Sequence, residues 1–269
     1  MRSTDTIFSG SIPKIYNRLL VPLIFEPYAL DLAARLPSTA RDILEVAAGT
    51  GVVTRAIAAR LPRDARIVAT DLNQPMLDYA AQLLAGDARV TWQQADALAL
   101  PFADESFDTV VCQFGAMFFP NKQQAYREAR RVLKATGPFL FNVWDRLSEN
   151  DFPNAVTEAL AALYPQNPPQ FMARTPHGYF DVDRIRAELI EAGFRKISID
   201  AVEKISRASS ALDVAIAFCQ GTPLRNEIEA IGGSGLEAAT RAAAEELVRR
   251  YGDGPIEGHI KALVIQASA

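Results

Sequence analysis

The sequence predicts an α/β fold in which helices cover both faces of a mostly parallel β-sheet. Two observations lead to this fold class. Between residues 43 and 145, apolar segments with strand character alternate with segments of helical spacing. Several of the apolar segments are almost uniformly hydrophobic, which is typical of parallel strands that are buried on both faces.

The first strand, turn and helix follow one another at the start of this region. Residues 43–46 are apolar except for Glu45, and the glycines Gly49 and Gly51 then interrupt the strand. Helical spacing covers residues 52–61. The stretch therefore predicts a sharp corner between a buried strand and the beginning of a helix.

The same unit repeats along the chain. A second strand at residues 67–70 ends at Asp71, and a helix begins near Pro75, a residue that suits a first helical turn. The remaining elements predicted in this region are strands at residues 88–96, 107–115 and 138–145 and a helix at residues 122–134.

The later chain is less regular. Residues 146–180 are rich in proline and aromatic residues, which indicates a helix and a loop that form a lid. Asp181 is a candidate N-cap for the next helix, and Gly193 is a candidate for its end. The last predicted elements are a strand at residues 195–207, several helices within residues 209–251 and a strand at residues 259–268.

No internal repeat or low-complexity linker appears, so the sequence predicts one domain over residues 1–269. Its predicted parts are leader helices (1–38), a cofactor-binding core (40–145), helical cap insertions (146–180 and 209–255) and segments that complete the sheet (181–208 and 256–269).

Composition and charge narrow the classes of partner. The 269 residues are 49% hydrophobic and 22% charged, and the net charge of −4 gives no positive field for a nucleic acid. No apolar run is long enough to predict a membrane span. With two cysteines in unrelated segments and two histidines, we expect no metal site and a reducing, cytoplasmic location. A small-molecule partner is favoured, and the oligomeric state stays open, with a homodimer as one candidate.

The glycine corner is suited to a cofactor. A Gly-x-Gly turn lets a ligand approach the backbone closely, and the free amides of the next helix carry partial positive charge. A dinucleotide motif requires a third glycine, where this chain has Thr54. Glu45 would repel a phosphate but attract an ammonium group, so the corner favours a zwitterionic ligand.

Two further carboxylates extend the cofactor hypothesis. Asp71 follows Gly51 by 20 residues, a position from which a carboxylate accepts both hydroxyls of a ribose. Asp96 ends the predicted third strand, and its carboxylate together with the Ala97 amide suits the edge of an adenine. Ammonium, ribose and adenine together describe S-adenosylmethionine.

Residues 40–145 resemble the class I S-adenosylmethionine-dependent methyltransferases, particularly the branch of ubiquinone/menaquinone-biosynthesis methyltransferases. The segments that carry the resemblance are LEVAAGTG, VATDLNQPMLDYA, QQADALALPFADESFDTVVCQFGAMFFP and EARRVLKATGPFLF. It implies a doubly wound, Rossmann-like sheet of seven strands with an antiparallel last strand and a helical cap. The chain departs from the family pattern at Ala47, where glycine is common, and we expect alanine there to avoid a positive φ.

The resemblance also implies a set of cofactor-binding residues. Glu45, Ala47, Gly49 and Gly51 would line the methionine end, Asp71 would bind the ribose, and Leu72 would cover one face of the adenine. Asp96 and Ala97 would contact the adenine edge, Gln113 and Phe114 would border the reactive centre, and Tyr16 and Arg18 would fold over the cofactor.

The first hypothesis for function is therefore methyl transfer to a small-molecule acceptor by in-line displacement, with S-adenosyl-L-homocysteine as the second product. No catalytic side chain is assigned, since positioning supplies most of the effect, and His177 is interpreted as a surface-loop residue without a catalytic role. The alternatives are a non-catalytic module that binds S-adenosylmethionine or a partner, and, more distantly, an NAD-dependent oxidoreductase.

Overall fold

The computed structural model describes residues 3–6, 8, 10–232 and 235–269. Four leader positions, residues 1, 2, 7 and 9, lie outside this part of the chain, as do residues 233 and 234. The chain divides into two compact units. We call them the sheet unit (residues 26–143, 179–202 and 262–269) and the helical unit (residues 1–25, 144–178 and 203–261). The single domain expected from the sequence stays a prediction.

A seven-stranded sheet forms the framework, and its strand order is β3-β2-β1-β4-β5-β7-β6. The strands are β1 (Asp42–Val46), β2 (Arg66–Asp71), β3 (Val90–Gln94), β4 (Thr109–Gln113), β5 (Phe139–Trp144), β6 (Lys196–Ala208) and β7 (Ile256–Ser268). The pairs β1–β2, β1–β4, β2–β3 and β4–β5 are parallel. Strand β7 runs antiparallel, so the mostly parallel, Rossmann-like sheet predicted from the sequence is confirmed.

Helices alternate with the strands of the sheet unit, as the sequence predicts. They are α2 (Glu26–Ala34), α3 (Val52–Arg60), α4 (Gln74–Leu83), α5 (Lys122–Val132) and α8 (Val182–Glu191). Asp181 is the N-cap of α8, because its side chain accepts the amides of Asp183 and Arg184. Ile43, Ile57, Ile67, Val111 and Leu140 lie in one fully buried cluster, which fixes the parallel strands against α3.

The helical unit contains the remaining α-helices and a π-helix. They are α1 (Ile12–Ile15), a π-helix (Tyr16–Phe25), α6 (Asp151–Leu163), α7 (Phe171–Arg174), α9 (Ala211–Gln220), α10 (Leu224–Ile231) and α11 (Gly235–Tyr251). Helix α11 packs against α9 and α6. Across the described residues, no helix combines the length and apolarity that crossing a membrane requires.

A buried ion-pair cluster joins distant segments of the helical unit. Arg174 donates to Asp5 at 2.7 Å and to Glu227 at 2.7 Å. Thr175 adds a hydroxyl donor to Asp5 at 2.7 Å. Since both carboxylates are buried, the cluster pairs charges that would otherwise be costly to enclose.

Candidate functional site

Glu45 lies near the carboxyl end of β1, and its side chain is 1% exposed. The Thr54 hydroxyl, from the first turn of α3, donates to Glu45 Oε2 at 2.5 Å. Burial raises the pKa of Glu45 to about 8, against the opposing effects of Thr54 and Arg55. Thr54 and Arg55 therefore stabilise the negative charge of Glu45 less than burial destabilises it. A further cation bound beside Glu45 would favour the ionised carboxylate.

Asp71 occupies the last position of the neighbouring strand β2 and is also buried. Its Oδ2 accepts the Gly49 amide at 2.9 Å, and its Oδ1 accepts the Asn73 amide at 2.8 Å. Burial raises its pKa above the ordinary value despite these hydrogen bonds. The charge of Asp71 in turn raises the pKa of Glu45, so the two carboxyl groups act on each other.

The turn after β1 corrects one expectation. Ala47 has a φ of 57°, in the left-handed region that we expected alanine to avoid, and Gly49 and Gly51 have φ values of 57° and 75°. The strained conformation is held from outside, because the Ala48 amide donates to Thr70 O at 2.9 Å. The amides of the turn are thereby aimed toward the strand ends.

Gly115 makes room for this turn. A Cβ atom at position 115 would lie 2.5 Å from the Ala47 Cβ and 2.7 Å from the Cys112 sulfur, and neither separation is sterically possible. Alanine at position 47 is therefore compatible with the fold only because position 115 carries no side chain.

Asp96 lies beyond β3 rather than at its end. The strand stops at Gln94, since that residue pairs with Asp71, the last residue of β2. The Asp96 carboxylate is exposed and accepts the Leu98 amide at 2.9 Å. Because β1, β2 and β3 are adjacent and parallel, Glu45, Asp71 and Asp96 nevertheless share one edge of the sheet.

Leu72 and Ala97 flank the same edge. Leu72 directly follows Asp71 and is 52% exposed, a high value for a large apolar side chain. Its carbonyl accepts the Gln94 side chain at 2.8 Å, which holds the two strand ends together. Ala97 follows Asp96 and is half-buried.

Gln113 ends β4, and Phe114 follows it in a left-handed conformation with a φ of 49°. The Phe114 amide donates to Asn142 Oδ1 at 2.9 Å, and the Phe114 ring packs edge-on against Tyr28, 5.4 Å between centroids. Both predicted residues are buried. The end of β4, like the end of β1, is thus followed by a non-glycine residue in the left-handed conformation.

Tyr16 and Arg18 belong to the helical unit. Both lie in the π-helix, where the Tyr16 ring stacks on Phe25 with 4.9 Å between centroids. Arg18 is exposed. Their assignment to the cofactor stays a prediction.

Three polar residues of this region were not predicted from the sequence. Thr54 orients Glu45, Asn142 holds the Phe114 amide, and the buried hydroxyl of Thr50 has no hydrogen-bond partner within the described residues. From the sequence, Thr54 was interpreted only as the position where a dinucleotide-binding motif has its third glycine. Its place in the first turn of α3 was nevertheless a signal that its side chain faces the strand end. Asn142 has one weaker signal, an amide side chain inside an otherwise apolar strand.

The donor set fits S-adenosylmethionine. Two buried, mutually destabilising carboxyl groups and an orphan buried hydroxyl suit a ligand with a cation and hydroxyl groups, and they oppose a phosphate. The residues that would hold the cofactor are Glu45 and the 47–51 turn for its amino-acid part and Asp71 for its ribose. Within the described part of the chain, no cluster of metal-ligating side chains is present.

His177 is buried rather than on a surface loop. It is 3% exposed, and its Nδ1 donates to the Asp145 carbonyl at 2.8 Å. Burial lowers its pKa to about 4, so the ring is neutral near pH 7. The sequence did not predict this burial, because proline-rich loop segments usually lie on the surface. Both cysteines, Cys112 and Cys219, are free and buried.

In a comparison with protein families, a model described as "Methyltransferase domain" matches residues 43–137. The chain is 42% identical over 101 residues to the demethylmenaquinone methyltransferase of Clavibacter sepedonicus, which covers 38% of this chain and 40% of that protein. The ubiquinone/menaquinone biosynthesis C-methyltransferase UbiE of Pseudomonas aeruginosa LESB58 is 29% identical over 206 residues, covering 72% of this chain and 76% of that protein.

Solved structures share the fold. The YcgJ protein of Bacillus subtilis superposes with a TM-score of 0.55 at 20% identity, covering 90% of this chain and 97% of that one. Phosphoethanolamine N-methyltransferase 2 of Haemonchus contortus, crystallised with S-adenosyl-L-methionine, gives a TM-score of 0.62 at 15% identity. That alignment covers 100% of this chain and 60% of the other.

Proposed function

We propose that this chain is a class I S-adenosylmethionine-dependent methyltransferase of the ubiquinone/menaquinone-biosynthesis branch and that it methylates a small quinone-type acceptor. The observation that carries the cofactor part is the pair of buried carboxyl groups, Glu45 and Asp71, at adjacent parallel strand ends. The acceptor class is supported by the names of relatives that align over most of this chain.

In this proposal Glu45 binds the cofactor ammonium and Asp71 accepts the ribose hydroxyls. Thr54 holds the Glu45 carboxylate in position, and the amides of Gly49 and Asn73 do the same for Asp71. Leu72 covers the adenine, with Asp96 and Ala97 at its edge. Each carboxylate oxygen of Asp71 accepts at least one backbone amide and retains further acceptor capacity.

S-adenosylmethionine, when bound, supplies an electrophilic methyl group on a sulfonium. The chain's own contribution is to orient both reactants and to keep water out, which lowers the barrier chiefly through positioning. Gln113 and Phe114 would border the reacting atoms, and the aromatic ring would contribute about 0.5–2 kcal/mol toward binding a cation. No general base is assigned.

The remaining parts of the proposal concern partners and location. The acceptor is a small molecule, no nucleic acid is involved, and the chain works in the cytoplasm, where its two buried thiols stay reduced. The helical cap segments, residues 146–180 and 209–255, would determine which acceptor is used, and the assembly would be a homodimer.

Calorimetric titration with S-adenosylmethionine tests the cofactor site. We expect micromolar affinity, and Asp71→Ala should lose about 1.5–3 kcal/mol of it because two ribose hydroxyls lose their acceptor. Asp78→Ala, an exposed aspartate in α4, is the matched control and should bind normally. Unchanged affinity in Asp71→Ala would defeat the ribose assignment.

The acceptor is tested separately with isotopically labelled cofactor and a panel of demethylated quinols. Label should appear in a quinol product that gains one methyl group by mass spectrometry. Transfer only to amines or thiols, with the cofactor still bound, would reject the quinone-type acceptor while leaving the cofactor site intact.

A further inference from the structure

The helical unit carries an apolar groove between α9 and α11. Its volume is about 680 Å³. Six of its lining residues are Leu212, Ile216, Leu236, Thr240, Ala244 and Val248. Leu212 is 52% exposed and Val248 38% exposed, so the groove presents large apolar side chains to solvent. None of its residues belongs to the proposed cofactor site.

Charged side chains follow the exposed face of α11 beside this groove. Glu237, Arg241, Glu245 and Arg249 are spaced four residues apart, with alternating sign, and all are exposed. Arg249 pairs with Glu246 in the same helix. Within the described part of the chain, the other three make no ion pair, although their spacing permits one. Their charges are available to a partner.

We propose that this groove is the interface of a two-fold symmetric homodimer, in which α11 of one copy packs antiparallel against α11 of the second. An axis level with Ala243 brings Arg241 of each copy level with Glu245 of the other. The same register sets Glu237 level with Arg249 of the other copy. We call Glu237, Arg241, Glu245 and Arg249 the charged stripe. A two-fold interface repeats every contact, so the charged stripe of one copy is complementary to the charged stripe of the other.

The stripe also selects this register. Moving the axis by two residues, to the level of Arg241, would set Arg241 opposite its own copy and Glu237 opposite Glu245 of the second copy. Those like-charge pairs oppose the shifted arrangement. The apolar side chains supply the buried area, while the charges determine how the two helices align.

A second copy fits this surface better than other partners do. An anionic lipid surface or a nucleic acid requires a concentration of Lys and Arg. The groove instead has Glu237 and Glu245 on either side of a single arginine, Arg241. A small apolar ligand would leave those charges without partners. The helix of a second copy satisfies both the apolar groove and the charged stripe.

Sedimentation velocity of the full chain tests the interface, and the result is independent of methyl transfer. The chain should change from monomer to dimer between roughly 1 and 100 µM. Val248→Glu places a charge in the apolar groove and should weaken dimerisation at least about a hundredfold. A chain that stays monomeric over this range, or a dimer unaffected by Val248→Glu, overturns the proposal.

A charge exchange tests the register. Arg241→Glu should weaken the dimer about tenfold, because two attractive pairs become repulsive. Adding Glu245→Arg to that variant should restore it. Arg207→Glu, which changes an exposed ion pair on β6, is the control and should dimerise normally. Circular dichroism verifies that each variant is folded, and failure of the double variant to recover overturns the assigned register.

Discussion

Glu45 shows what the fold does to one residue of the site. In water its carboxyl group would be ionised at neutral pH, but complete burial raises its pKa to about 8. Within the described part of the chain, the Thr54 hydroxyl is the one side-chain hydrogen-bond donor to the Glu45 carboxyl group, so the ionised form is only partly stabilised. A cationic ligand bound beside Glu45 would therefore stabilise its ionised form.

The raised pKa predicts a pH-dependent stability difference. The folded chain retains the Glu45 proton up to about pH 8, whereas the unfolded chain releases it above its ordinary pKa. The contribution of this residue is therefore fully present at low pH and is lost as the pH rises through the folded pKa. Glu45→Gln lacks that loss and should gain about 2–4 kcal/mol over the parent between about pH 5 and pH 8.5.

Urea unfolding without cofactor, at several pH values, measures this difference. Glu257→Gln is the control, because it makes the same substitution at a largely exposed residue. A constant offset between Glu45→Gln and the parent at every pH would contradict the raised pKa.

At the scale of elements, the strand–turn–helix corner was predicted well and its backbone was not. The alternation of apolar and helical segments fixed β1, β2 and their helices, because local pattern decides those elements. The positive φ of Ala47 was missed, since it is imposed by contacts to Thr70 and Asp71 on the next strand. The end of β3 was misplaced for the same reason: pairing with β2, rather than local sequence, stops it at Gln94.

The strained turn predicts that glycine substitutions at two adjacent alanines change the free energy of unfolding in opposite directions. Ala47→Gly should raise the free energy of unfolding by about 1 kcal/mol, because glycine adopts a φ of 57° without steric cost. Ala48→Gly, at a buried position without positive φ, should lower it by about 1 kcal/mol. Denaturant unfolding of both variants measures the two changes, and a loss of stability in Ala47→Gly would show that position 47 is not strained.

At the scale of the whole molecule, long-range contacts decide what the sequence pattern left open. Arg174 contacts Asp5, 169 positions away, and Glu227, 53 positions away, and His177 contacts the Asp145 carbonyl, 32 positions away. No local periodicity in the sequence encodes these contacts. The fold class was predictable, because seven strand segments and their helices are each visible locally. The polar interior of the helical unit was not.

The buried ion-pair cluster predicts that substitution of Arg174 strongly lowers the free energy of unfolding. Arg174→Met should lower the free energy of unfolding by about 2–4 kcal/mol, because it leaves the buried carboxylates of Asp5 and Glu227 without their cation. Arg207→Met, which breaks an ion pair with both partners largely exposed, should change it by under about 0.5 kcal/mol. Equal effects of the two substitutions in chemical denaturation would refute the buried role of Arg174.

The strand order has a consequence for biosynthesis. Strand β6 adjoins β7 alone, and β7, the latest of the seven in sequence, inserts between β6 and β5. While the ribosome is still producing α9 to α11, β6 has no strand to pair with, and its 13 residues present an open edge. The nascent chain must be kept from aggregating at that edge until β7 emerges and joins the two sides of the sheet.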